Sequence, residues 1–109
     1  MTAEGSAYAR FRRAVERGNL VEADSAVREL RRVSLTDALD YVDLLATREP
    51  ARFERAAIRW HSRLEREYAG LTLPQSLLAL TALQALTEQD RGTPLSILRH
   101  LAKRASFQD

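Results

Sequence analysis

Sixteen of the seventeen basic residues in this chain are arginine, and Lys103 is the exception. The guanidinium group binds carboxylate or phosphate through two parallel hydrogen bonds, where an ammonium offers a point charge. Arg52, Arg55, Arg59, Arg63 and Arg66 fall in one stretch, and at about 100° per residue they share a helical arc of about 80°. Such a stripe is a candidate surface for an acidic partner or a phosphate backbone. The intramolecular alternative is a ladder of ion pairs across a helical hairpin to Asp37, Asp40 and Asp43, which recur at spacing three. Exposed pairs of that kind contribute about 0–1 kcal/mol each.

Other chemistry is sparse. The absence of cysteine excludes disulfides, thiol catalysis and thiolate metal sites, and suits a reducing cytoplasm. His61 and His100 are the two histidines, and no carboxylate–histidine helix motif accompanies them, so neither a metal site nor a cofactor is expected. His61 borders an apolar helix face and reads as a packed imidazole. Trp60 reads as a core anchor whose indole N–H needs a partner. Ser6, Asn19, Ser34, Thr72 and Thr93 are accounted for as helix caps. No nucleophile, base and orienting group can be assembled from what remains, so the chain does not read as an enzyme and no small-molecule substrate is expected.

The elements that must position these residues are helices. Ser6 opens a first helix, with Tyr8, Phe11 and Val15 at helical spacing and Gly18 after its end. Asn19 and Glu22 form a capping-box pattern for a second helix to about Arg32. Ser34 caps a third, stopped near Arg48 by Pro50. The fourth runs from Pro50 to Tyr68, ahead of Gly70. Thr72 and Pro74 open the fifth, which Gly92 closes, and Thr93 and Pro94 open a sixth to about Arg104. No segment alternates with period two as a half-buried strand would. The spacing predicts an all-α fold of six helices in three antiparallel hairpins, as a compact bundle or a short tetratricopeptide-like stack. At 109 residues this is one domain, residues 1–109, with 1–5 and 106–109 expected as flexible ends, and folding buries about two thirds of the extended-chain surface.

The stretch LTLPQSLLALTALQALT, Leu71–Thr87, carries no charge in a chain of which 29% is charged. Large apolar groups point in nearly every direction around this fifth helix. A helix apolar all round is normally buried, and two arrangements would cover it. It could be the central post of the domain, or one side could stay open to a second copy or another protein, with Leu80, Leu83 and Leu86 as the candidate interface. Its interspersed Pro, Gln, Ser and Thr make it a poor membrane span, and no membrane partner is expected.

The amino terminus has no basic segment followed by an apolar run, so a cytoplasmic location is expected. Arg10, Arg13 and Arg17, with Arg28, Arg31 and Arg32, would broaden a positive surface if their faces coincide. The net charge of only +2 weighs against nucleic acid. So does the last helix, where Leu95, Leu98, Leu101 and Ala102 read as core contacts instead of a groove-reading element.

Two resemblances add to this. AYARFRRAVERGNLVEADSAVREL, through Ala14, Gly18, Asn19, Leu20, Glu22 and Ala23, resembles one tetratricopeptide helix pair over residues 7–30, which implies a scaffold that binds proteins or peptides. Residues 34–67, followed by LTLPQSLLALTALQAL, are similar to small uncharacterised all-helical actinobacterial proteins, a resemblance that implies no activity. The expectation is a protein-interaction or accessory module whose partner is another protein or a second copy of itself. An arginine-driven nucleic-acid binder or regulator is the alternative.

Overall fold

Asn19, Ser34 and Thr72 each take up a free amide in the first turn of a helix. Asn19 Oδ1 accepts from the Glu22 amide at 3.1 Å, Ser34 Oγ from the Asp37 amide at 3.1 Å, and Thr72 Oγ1 from the Gln75 amide at 3.2 Å. Only Thr72 completes the reciprocal box, its own amide donating to Gln75 Oε1 at 2.9 Å. These caps set the starts of three of six helices in the computed structural model, which describes residues 3–106. The helices are α1 (Ala3–Arg17), α2 (Leu20–Arg28), α3 (Leu35–Arg48), α4 (Pro50–Glu67), α5 (Leu73–Ala85) and α6 (Gly92–Ser106). No strand occurs among the described residues. Gly18 takes a left-handed φ of 70° just after α1, and Gly70, at φ 81°, lies in the Tyr68–Leu71 turn that follows α4, a region that costs any residue with a Cβ.

Several boundaries differ from the sequence reading. α1 begins at Ala3, so Ser6 lies inside the helix and is not its cap. α2 stops at Arg28 instead of Arg32, because Leu30 turns inward onto a small apolar cluster while the Glu29 amide closes the last turn on Ala26 and Val27. α5 ends at Ala85, well before Gly92, where Leu86 turns into the core at 1% exposure. α6 starts at Gly92, which puts Thr93 in its first turn. Of the expected flexible ends, residues 3–5 and 106 are helical, and 1–2 and 107–109 lie outside the described residues.

Sequential helices pair as three antiparallel hairpins, α1–α2, α3–α4 and α5–α6. The molecule measures 41 × 35 × 21 Å. With a helix diameter near 10 Å, the short dimension holds two layers. The central element is α3, which packs against α1, α2, α4 and α6. It supplies Leu35, Leu39, Val42 and Leu45 to a main core completed by Phe53, Trp60 and Leu64 of α4, Leu83, and Leu98 and Leu101 of α6. Trp60 is 2% exposed, and its indole N–H donates to the Leu35 carbonyl at 2.9 Å. A second, smaller core under α1 and α2 gathers Phe11, Ala14, Ala23, Ala26 and Leu44.

Of the two arrangements open to α5, the central post does not occur. The helix is a flank of the molecule, touching only α4 and α6. Its buried residues are Ser76, Ala79, Ala82 and Leu83, and these mostly small side chains let one side approach its neighbours closely. The larger leucines are left on the other side.

Candidate functional site

α5 presents Leu73, Leu77, Leu78 and Leu80 to solvent at 73%, 55%, 46% and 42% exposure, and α4 adds Ile58 at 60%. Between the two helices lies an open groove of about 460 Å³, with Phe53, Ala57, Ile58, Leu80 and Leu83 among its walls. Along α5, Leu73, Leu77, Leu80 and Gln84 follow spacings of four, three and four, the repeat of a helix–helix seam with one polar position. Of the three leucines expected at an apolar interface, Leu80 is exposed and Leu83 only edges the groove. Leu83 and Leu86 are 3% and 1% exposed, because they face the core that α5 shares with α4 and α6. Ile58 was legible as an apolar residue outside the Phe53, Ala57, Trp60 and Leu64 arc. Leu73 and Leu77 required knowing which side of α5 the core takes.

The arginine stripe divides. Arg52 donates to Asp24 Oδ2 at 3.0 Å and Oδ1 at 3.2 Å, to Glu49 at 3.2 Å and to the Tyr41 hydroxyl at 3.0 Å. Tyr41 donates in turn to Asp24. The Arg52 hydrogen bond, reinforced by that of Tyr41, holds the Asp24 carboxyl below the usual carboxylate range, and burial together with Asp24 raises the Tyr41 hydroxyl. Arg63 Nε donates to Glu67 at 2.8 Å. Arg55, Arg59 and Arg66 are exposed and form no ion pair with a described residue.

The ladder to α3 does not form. Arg12 donates to Asp37 at 2.9 Å and to Asp40 Oδ2 at 2.8 Å, Arg99 reaches Asp40 Oδ1 at 2.9 Å, and Arg91 pairs with Asp43. The aspartates point toward α1 and α6, away from the arginine side of α4. Their spacing of three fixed a common face but not which neighbour it met. The Asp40 hydrogen bond raises the pKa of Arg12 further. Asp40 itself is 7% exposed, so one buried carboxylate joins α1, α3 and α6.

A trio that sequence reasoning missed lies between α4 and α5. His61 Nε2 is 2.9 Å from Ser76 Oγ and 3.2 Å from the Ser76 carbonyl, while Nδ1 is 3.7 Å from Glu65 Oε1. The spacing of four between His61 and Glu65 was visible; Ser76, across a turn, was not. A carbonyl only accepts, so Nε2 carries the hydrogen and donates toward Ser76. The Ser76 hydroxyl donates onward to Glu65 Oε2 at 3.1 Å. Protons thus point from histidine to serine to carboxylate, the reverse of the direction in which a base activates a serine nucleophile. The arrangement clasps α4 to α5 across the turn that joins the second and third hairpins.

Among the described residues, no group of three or more metal-ligating side chains converges, and no helix is long and apolar enough to cross a membrane. Compared with known proteins, the chain matches no family model, no curated protein sequence and no solved structure.

Proposed function

We propose that this protein is a non-enzymatic interaction module that associates with a second copy of itself through the outer face of α5 and the adjoining α4 groove. The observation that carries this reading is the set of four outward leucines on a helix without a charge. A two-fold interface brings the same surface together from both partners, and α5 can meet its own copy without like-charge repulsion. The Leu73, Leu77, Leu80 and Gln84 seam gives the contact a register, with Gln84 able to bond its counterpart.

The strength follows from area. Each of the five exposed aliphatic side chains has about half its surface left to bury, worth about 1 kcal/mol apiece, so two copies gain roughly 10 kcal/mol before an association cost of about 4–15 kcal/mol. With that cost at its low end the net gain is about 6 kcal/mol, so the expected complex is a weak, concentration-dependent dimer with a Kd of about tens of micromolar. Light scattering coupled to size-exclusion chromatography, over dilutions spanning that range, should show the mass rise from monomer to dimer. The Leu77→Asp/Leu80→Asp variant should remain monomeric with unchanged helicity, since both positions are exposed in the monomer. A wild-type monomer at every concentration would sink the reading.

A further inference from the structure

We infer that Arg55, Arg59 and Arg66 on α4, continued by Arg32 in the α2–α3 connection, form a binding ridge for the phosphate backbone of duplex nucleic acid. This surface does not depend on the α5 face. The three α4 arginines span a rise of about 16 Å, and Arg55 and Arg59 are like-charge neighbours one turn apart. The acids that could have neutralised them are engaged elsewhere: Asp37 and Asp40 with Arg12, Asp43 with Arg91, Asp24 with Arg52 and Glu67 with Arg63. At the α2–α3 end the ridge opens into a notch of about 800 Å³ whose walls include Arg32, Ser34 and Arg63. Arg63 is held there by Glu67.

The composition of the face selects the ligand. The exposed residue among these arginines is Ser62, and no large apolar side chain lies in the same arc, since Ile58 is turned toward α5. A protein partner draws most of its binding energy from an apolar or aromatic centre, which this face lacks. Phosphate contacts need only charge and hydrogen-bond donors. Single strands are commonly held by aromatic stacking, but Phe53, Trp60 and Tyr68 are buried. A duplex, held without base readout, fits what remains.

The test is fluorescence anisotropy of a labelled duplex of about twenty base pairs, titrated with the full chain between about 50 and 200 mM salt. Neutralising three phosphates through the α4 arginines makes that salt increase weaken binding by roughly 40-fold. The Arg55→Gln/Arg59→Gln/Arg66→Gln variant should lose this part of the salt dependence and most of the low-salt affinity while keeping its circular dichroism spectrum. Arg13→Gln/Arg17→Gln, on exposed positions of α1, should leave both unchanged. No binding at the lowest salt, or equal binding by the triple variant, overturns the assignment. Poly-glutamate binding as tightly as the duplex overturns it in favour of an acidic polypeptide.

Discussion

Replacing Asp40 by Asn tests the three-helix junction with little change of shape. The carboxylate accepts from Arg12 on one oxygen and Arg99 on the other, and its side chain is 8% exposed. Hydrogen bonds involving a charged partner contribute about 1.5–3 kcal/mol each, so the gross loss for two is about 3–6 kcal/mol. Two effects reduce it. The Arg12 and Arg99 side chains are 30% and 46% exposed, so their guanidinium groups regain water, and Asn retains one acceptor oxygen. Its amide N–H₂, however, now points a donor at a cation. We expect a net destabilisation of about 1.5–3 kcal/mol, or a fall in Tm of roughly 6–12 °C for a domain of this size. Urea and thermal unfolding at neutral pH, followed by circular dichroism, would measure it. Asp37→Asn is the milder comparison, because Arg12 keeps Asp40 when Asp37 is lost, although Asp37 also accepts from Ser34 Oγ at 3.1 Å; its expected cost is about 1 kcal/mol. If Asp40→Asn is as stable as the wild type, or no worse than Asp37→Asn, the buried carboxylate does not join the helices as argued.

Trp60→Phe should lower unfolding free energy by about 1–3 kcal/mol in urea titrations, since it leaves a void and removes the indole hydrogen bond to Leu35, whose carbonyl keeps its intrahelical amide partner. Because the folded pKa of Asp24 is lowered, the stabilisation it brings is present above the unfolded value of about 3.9 and lost as pH falls through the folded value. The stability difference between wild type and Asp24→Asn should therefore be flat from about pH 5 to 8 and shrink below about pH 4, and a difference that grows in acid would contradict the assignment. Gly70→Ala should cost about 1 kcal/mol through its positive φ alone, the added Cβ meeting open space, whereas Gly92→Ala, without that φ, should be neutral or slightly stabilising. Paired melting curves would separate the two.

Helix number, pairing and most boundaries were legible because Gly, Pro and capping residues act locally. Ser34, Thr72 and Pro50 mark helix starts whatever surrounds them. Ser6 misled because a hydroxyl that can cap need not do so. The surfaces were harder to read, since the periodicity of one helix gives a face but not a neighbour. The three aspartates and five arginines looked like two sides of one seam, yet α3 turns its acids to α1 and α6. On α5, with leucines on all sides, periodicity carried almost no direction. Close packing of Ala79, Ala82 and Ser76 decided it, a choice made by partners distant in sequence.

The division into two cores has a consequence for how the molecule breathes. The α1–α2 hairpin rests on one buried phenylalanine, one leucine and three alanines, with Val15, Leu20, Val27, Leu30 and Tyr41 partly buried around them, a smaller core than the one around Trp60. Charged contacts clamp it down: Arg12 to Asp37 and Asp40, and Asp24 to Arg52. We expect this hairpin to open below the free energy of global unfolding, which native-state hydrogen exchange would show. The Arg52–Asp24 pair, with side chains 43% and 25% exposed, is the part of this latch that salt loosens, whereas the Arg12–Asp40 contact, on a carboxylate 8% exposed, is screened much less. Hydrogen exchange on the Phe11 face should then be faster than in the Trp60 core at any ionic strength.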